Sequence, residues 1–240
     1  VETTTTERNR RDMGWGLLDK KILLATEDDK VGMLNKILSQ WPDLYRKTAI
    51  WPNRGSSSLP PAESMSGLRQ VFGDKMKIAL HRDSDFMLEP ERQKYAEPYD
   101  AKDIKIWFTH GSDIEAYWIT DQVVAAEFGI EEAEARQLID AACDRLDEKH
   151  GVSRFNKKRT EILKKIPAYA QHGEDHSGSA EAQEHLEAYG REFIHVGKEM
   201  LSAIRAVAHE KGLKGGHGLG KSIPQDVEIA PDLKAALRDL

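Results

Sequence analysis

Cysteine is almost missing from this sequence: Cys143 is the only one in 240 residues. A single thiol excludes an intramolecular disulfide framework and fits a reducing compartment, so a cytoplasmic location is expected. Long apolar runs are missing as well. No stretch approaches the roughly 18 residues needed to span a bilayer, and no signal-peptide core is present, so no membrane is expected among the partners. Basic excess is also lacking. Against 41 Asp and Glu stand 35 Lys and Arg, a formal net charge of -6, which argues against a chain coated in positive surface while leaving room for a local basic groove. What is present is polar but globular, 39% hydrophobic and 32% charged, and long enough for one large domain or a core with a smaller one attached.

Periodicity divides the chain. Residues 1–19 are polar and threonine-rich and read as a flexible lead-in. Short apolar runs at 21–26, 48–51, 77–80 and 104–108 predict strands. Between them, Val31, Leu34, Leu38 and Trp41 share one face of a predicted helix, and a second helix is predicted over 63–71. This alternation predicts an α/β fold with a parallel-sheet core over 20–118. The region 119–240 reads as helical, with an amphipathic segment at 131–149, a linker at 171–179, one long helix over 181–210 and a terminal helix from Asp232. In the long helix, Leu186, Tyr189, Phe193, Val196, Met200, Ala203 and Val207 form a stripe that ordinarily packs a core and is long enough to pair two copies as a homodimer. The basic run Lys157, Lys158, Arg159, Lys164 and Lys165 is ordinarily a solvated helix face, and in a nuclease a phosphate track.

The carboxylates carry the chemical signal. Glu27 directly follows the first predicted strand, and Asp83 and Asp85 follow the third. All strands of a parallel sheet end at one edge, where ligands bind. Carboxylates gathered there repel one another unless a cation is present, and a hard divalent ion with oxygen ligands relieves the repulsion, Mg2+ above all where a phosphate also binds. Taken singly, Asp28 or Asp29 reads as an ordinary cap or turn former. Glu27, Asp83 and Asp85 together point to a metal site, provided the chain leaves strand geometry at the Asp-x-Asp so that both side chains face one ion.

Two further segments invite chemistry. Gly215-Gly-His-Gly-Leu-Gly-Lys-Ser222 satisfies the Walker A pattern. That pattern needs a strand before it and a helix after it; here a helix ends at 210–214, Pro224 follows closely, and too little chain remains for a second nucleotide motif. An ATPase in this chain is therefore excluded. A glycine-rich loop presenting Lys221 to a phosphate is physically reasonable, as is a simple helix-terminating loop. His172-Gly-Glu-Asp-His176 lies in a polar, glycine-containing linker and reads as a loop rather than a metal site.

Ile22-Leu-Leu-Ala-Thr-Glu27, Gly55 after the second strand and Ile78-Ala-Leu-His-Arg-Asp-Ser-Asp85 resemble the TOPRIM fold of topoisomerases, primases and OLD-type nucleases. In that family the first-strand glutamate and the Asp-x-Asp bind Mg2+ for phosphodiester chemistry, which the resemblance assigns to Glu27, Asp83 and Asp85, with Mn2+ as a substitute metal. Ser112-Asp-Ile-Glu-Ala-Tyr117 resembles a segment that follows the core in OLD-like and PARIS-type anti-phage nucleases, giving Glu115 a supporting role. Gly220-Lys221 resembles their late Gly-Lys, where the lysine contacts the scissile phosphate. The resemblance covers about 20–118 and that terminal loop. The family's glycine after the glutamate is Asp28 here, and its acidic residue four positions on is Val31, with Asp29 the candidate substitute metal ligand. The resemblance implies an Mg2+-dependent nuclease acting on DNA or RNA, tRNA included, as an anti-phage effector coupled to an OLD/ABC-type ATPase on a separate chain or in a missing region. A rival resemblance, of Lys21–Asp29 to the acidic start of a receiver domain, implies a non-catalytic adaptor that binds a partner through its acidic edge. Asp83 comes late for a receiver and lacks the usual Met-Pro after it, and the helical second half is foreign to one.

Overall fold

The computed structural model describes residues 20–53, 59–166, 169–170 and 178–240. The expected lead-in at 1–19, most of the loop after the second strand and the His172–His176 segment lie outside the described residues. Strands β1 (Ile22–Thr26), β2 (Thr48–Pro52), β3 (Lys77–Arg82) and β4 (Lys105–Phe108) form one parallel sheet in the order β2-β1-β3-β4. The helices are α1 (Gly32–Ser39), α2 (Pro42–Lys47), α3 (Ala62–Phe72), α4 (Glu89–Asp100), α5 (Asp121–Phe128), α6 (Glu132–His150), α7 (Ser153–Leu163), α8 (Ser179–Glu187), α9 (Gly197–Glu210) and α10 (Pro231–Arg238). The expected α/β class with a parallel sheet holds.

The chain divides into two compact units. The first takes the chain up to Arg82, Pro98–Trp107 and Asp232–Leu240, and the second takes Asp83–Glu97 and Phe108–Pro231.

In the first unit β1 is central, paired from Ile22↔Thr48 to Thr26↔Pro52 on one side and from Ile22↔Lys77 to Thr26↔His81 on the other. All five of its residues are buried, because a central strand of a parallel sheet is covered on both faces. Strand β2 is half-exposed and ends in Pro52, which an edge tolerates because proline offers no N–H to a ladder. The helix predicted around 31–41 is two helices. Pro42 cannot continue α1 but fits the first turn of α2, where its missing N–H costs nothing. Trp41, at the corner, is buried, and the Lys234 ammonium of α10 lies 5.6 Å from its ring centroid. Trp107 Nε1 donates to Asp232 Oδ2 at 2.8 Å, fastening α10 to the end of β4.

In the second unit α6 packs against α9 and α5, burying Leu138, Ile139, Ala142 and Leu146 with Val123, Val124, Met200, Ile204 and Val207. The expected single helix over 181–210 is not formed. Helix α8 stops at Glu187, Gly190 adopts φ +147°, a 3-10 turn covers Arg191–Ile194, and α9 begins at Gly197. The break has a purpose in packing: the turn buries Glu192, whose carboxylate takes two hydrogen bonds of 3.0 Å from Arg136 of α6. The seven-residue stripe is therefore interrupted; Met200, Ala203 and Val207 are buried inside the unit, whereas Tyr189 is exposed. Helix α4 had no apolar period to announce it. Its surface is held by the short-range pairs Arg92–Glu89 and Lys94–Glu97.

A carboxylate cluster closed by a lysine

The last residue of β3 is Arg82, and from there the chain leaves strand geometry abruptly. Asp85 and Phe86 both adopt left-handed backbone conformations, φ 46° and 67°. For residues with side chains this costs on the order of 1–3 kcal/mol each and persists only where the surroundings impose it. The second unit supplies that imposition. Ser84 N donates to Thr109 Oγ1 at 3.0 Å, the Ser84 hydroxyl donates to the Thr109 carbonyl, and Asp85 N donates to Ser112 O at 2.9 Å. The Phe86 ring packs 4.9 Å from Phe155, and its carbonyl accepts a 2.6 Å bond from the buried guanidinium of Arg159. Arg159 also makes a paired contact with Glu91, at 3.0 and 2.7 Å, and Glu91 accepts from Leu88 N at 2.7 Å. Arg159 thus belongs to the protein interior rather than to a solvated basic face.

At the kink Asp85 faces a cation, to which Asp83 adds its charge. Lys158, one residue before Arg159 on α7, places its ammonium 3.3 Å from Asp85 Oδ1. Burial lowers the Lys158 pKa, but the charges of Asp85, Asp83 and Asp113 outweigh it and hold the ammonium above its ordinary value. The third of these acids, Asp113, belongs to the segment after β4. There Ser112 Oγ donates to His195 O at 3.1 Å and accepts from Gly197 N at 3.0 Å, which seats the segment on the N-terminus of α9. Asp113 Oδ2 accepts from Lys198 N at 3.5 Å, while its Oδ1 is sealed from solvent with no hydrogen-bond partner. Gly197 is required at the contact, since a Cβ there would stand 2.0 Å from Asp113 Oδ1. Burial pushes the Asp113 carboxyl up to about 7, with Glu115 adding to the rise and the Lys198 N–H opposing it. Glu115 is mostly buried, with the Lys198 ammonium 3.7 Å away.

The expected site residues therefore fall into two groups. Asp83, Asp85 and Glu115 lie in the second unit, joined there by Asp113 and Lys158. Glu27 is the first residue beyond β1 and is buried in the first unit. Beside it Asp28 has Oδ2 3.9 Å from Nδ1 of the fully buried His81, and that nitrogen shares a 2.7 Å hydrogen bond with the Thr26 hydroxyl. Burial drives the His81 pKa down to about 3, so the ring is neutral. Asp29 is exposed. Asp113 and Lys158 are the members that sequence reasoning did not single out. Asp113 was hidden by being read as part of a motif centred on Glu115, and Lys158 by standing in a run of five basic residues.

Lys221 belongs to the glycine-rich loop before α10. Its side chain is exposed and forms no ion pair with a described residue. The glycine loop around it is closed by the protein's own anion: Gly218 N donates to Glu127 Oε2 at 2.9 Å and the Ser222 hydroxyl to Glu127 Oε1 at 3.3 Å. A carboxylate thus sits where a nucleotide-binding loop would hold a phosphate, and residues 223–230, directly after Ser222, form no helix. Cys143 is no nucleophile either, since burial, aided by Glu192, pushes its thiol up to about 12.

The oxygen donors suit a hard divalent ion in type. Among the described residues, however, no three His, Cys, Asp or Glu side chains converge at metal-binding spacing, and it is an ammonium that neutralises the cluster. No described helix is long and apolar enough to cross a membrane. Compared with known proteins, the chain matches no family model, no curated sequence and no solved structure.

Proposed function

We propose that this chain is a TOPRIM-type nuclease that hydrolyses nucleic acid phosphodiesters with Mg2+ or Mn2+. The observation that carries the reading is topological. In the order β2-β1-β3-β4 the chain reverses its direction of growth between β1 and β3, and open parallel sheets bind ligands beyond the strand ends at such a reversal. The first residues past those two strands are Glu27 and Asp83. The Asp-x-Asp that follows β3 is kinked at Asp85, which pairs with the Lys158 ammonium while Asp83 adds its charge.

By the resemblance, Glu27, Asp83 and Asp85 would be the residues to hold the metal, which would supply an activated water and neutralise charge on the phosphate. The αL kink fixes the direction of Asp85, and the Arg159 clamp on the Phe86 carbonyl keeps that kink from relaxing. Glu115 supports the cluster from the segment after β4. Lys221, carried on an exposed loop, meets the substrate phosphate. A cytoplasmic effector of anti-phage defence, controlled by an OLD-type ATPase, is the setting the resemblance implies.

The Lys158 ammonium, which already pairs with Asp85, supports a second reading, a non-catalytic module that binds a partner through its acidic edge. One assay separates them. Plasmid DNA and total tRNA are incubated with the protein and Mg2+ or Mn2+, with and without chelator, alongside Glu27→Ala and Asp83→Ala. Metal-dependent cutting that disappears in both variants supports the nuclease and names its substrate. Cutting that survives both substitutions rejects the site. If no form cuts even with an OLD-type ATPase added, the adaptor reading replaces it.

A further inference from the structure

Resting on the metal-site reading above, we propose that Lys158 is the built-in counter-ion of the acidic site: its ammonium occupies the carboxylate cluster in the metal-free protein and must leave Asp85 for a divalent ion to enter.

Three observations converge on this. The first is contact: Lys158 Nζ lies 3.3 Å from Asp85 Oδ1, with the lysine side chain about two-fifths exposed and the aspartate largely covered. The second is reach. The same ammonium is stabilised by Asp83 and Asp113 as well as Asp85, so it serves three carboxylates and not one surface partner. The third is position. Its neighbour Arg159 is locked into the interior by Phe86 and Glu91, so the α7 backbone at 158 is fixed while the four-carbon stem of Lys158 stays free to swing.

The physical consequence is competition. Carboxylates close enough to share a dication repel one another when it is absent, and one ammonium reduces that repulsion without satisfying the coordination of any of them. In the ammonium-bound arrangement Lys158 Nζ donates to Asp85 Oδ1 at 3.3 Å, a contact that an entering divalent ion would have to replace. A lysine suits this role better than an arginine, because a point charge with three rotatable donors releases a carboxylate more readily than a planar fork holds one.

Mn2+ binding to the full chain, measured by electron paramagnetic resonance and calorimetry without any substrate, tests the proposal. Lys158→Met removes the charge and keeps the bulk, and should bind Mn2+ roughly fivefold or more tightly than the native chain. Lys157→Met, one residue away and exposed, should bind as the native chain does. In the native chain, acetic anhydride should label Lys158 faster with Mn2+ present than without it, a readout that needs no variant to fold. Unchanged or weaker Mn2+ binding in Lys158→Met overturns the proposal and leaves the metal site standing. An equal gain in Lys157→Met overturns it in favour of a general charge effect, and labelling of Lys158 that ignores Mn2+ overturns it as well. If neither the native chain nor Lys158→Met binds Mn2+, the metal-site reading falls, and this inference with it.

Discussion

Replacing Arg159 by methionine should unsettle the acidic site more than any surface substitution around it. The guanidinium is 2% exposed and makes three short contacts, to the Phe86 carbonyl and to both oxygens of Glu91. Methionine restores the volume but leaves the Glu91 carboxylate, 8% exposed, with only the Leu88 N–H. Breaking one side of a buried ion pair costs about 3–5 kcal/mol, mostly for the charge left behind. The lost carbonyl bond falls within that range rather than adding to it, because the three groups act as one network. Against a typical total stability of about 5–15 kcal/mol such a loss is severe. It should also be local in effect, since Arg159 is what holds Phe86, and with it Asp85, in the left-handed conformation. Urea unfolding followed by tryptophan fluorescence measures the cost, and hydrogen exchange at the 84–88 amides reports the loosening. The double variant Arg159→Met with Glu91→Leu removes the stranded charge and should recover about 2 kcal/mol or more of the loss. A cost below about 1 kcal/mol for the single variant, or a double variant no better than the single, would falsify the clamp.

His81 is neutral in the folded chain with a pKa near 3, against an ordinary 6.5 when unfolded. Below pH 6.5 the unfolded chain therefore takes up a proton that the folded chain refuses, and stability falls as pH drops; by pH 5 the loss is about 2 kcal/mol. Unfolding free energies at pH 7.5 and 5.0 should differ by that much more in the native chain than in His81→Gln, and parallel behaviour of the two would count against the burial argument. Gly197→Ala drives a methyl into Asp113 and should destabilise by about 1–3 kcal/mol through overpacking. Asp113→Ala in the same background should relieve only part of it, because the methyl still stands 2.8 Å from the Ala116 backbone N, and a Gly197→Ala protein as stable as the native one refutes the close approach.

Much of the sheet was legible because its residues obey local rules. Four short apolar runs, each closed by polar or turn-forming residues, gave strands that differ from the observed ones by at most two residues at either end. Acids at strand ends stood out because they interrupt apolar runs. What escaped were features without a local period. Helix α4 carries charged pairs and two prolines in place of an apolar stripe, and the break at Gly190 interrupts a spacing that reads as continuous. Arg159 and Lys158 look alike in sequence, and only the Glu91 carboxylate and the Phe86 carbonyl, far along the chain, make one a buried clamp and the other a counter-ion.

The sequence by itself determined a parallel α/β core with Glu27, Asp83 and Asp85 at its strand ends, because hydrophobic period and strand boundaries are properties of neighbouring residues. Tertiary structure alone decided the strand order, the left-handed kink at Asp85, the seating of Asp113 on the α9 N-terminus and the placement of Lys158 against the acids. Those depend on which distant groups burial brings together, and charges and hydrogen-bonding groups act through distance in space, which no spacing along the chain encodes.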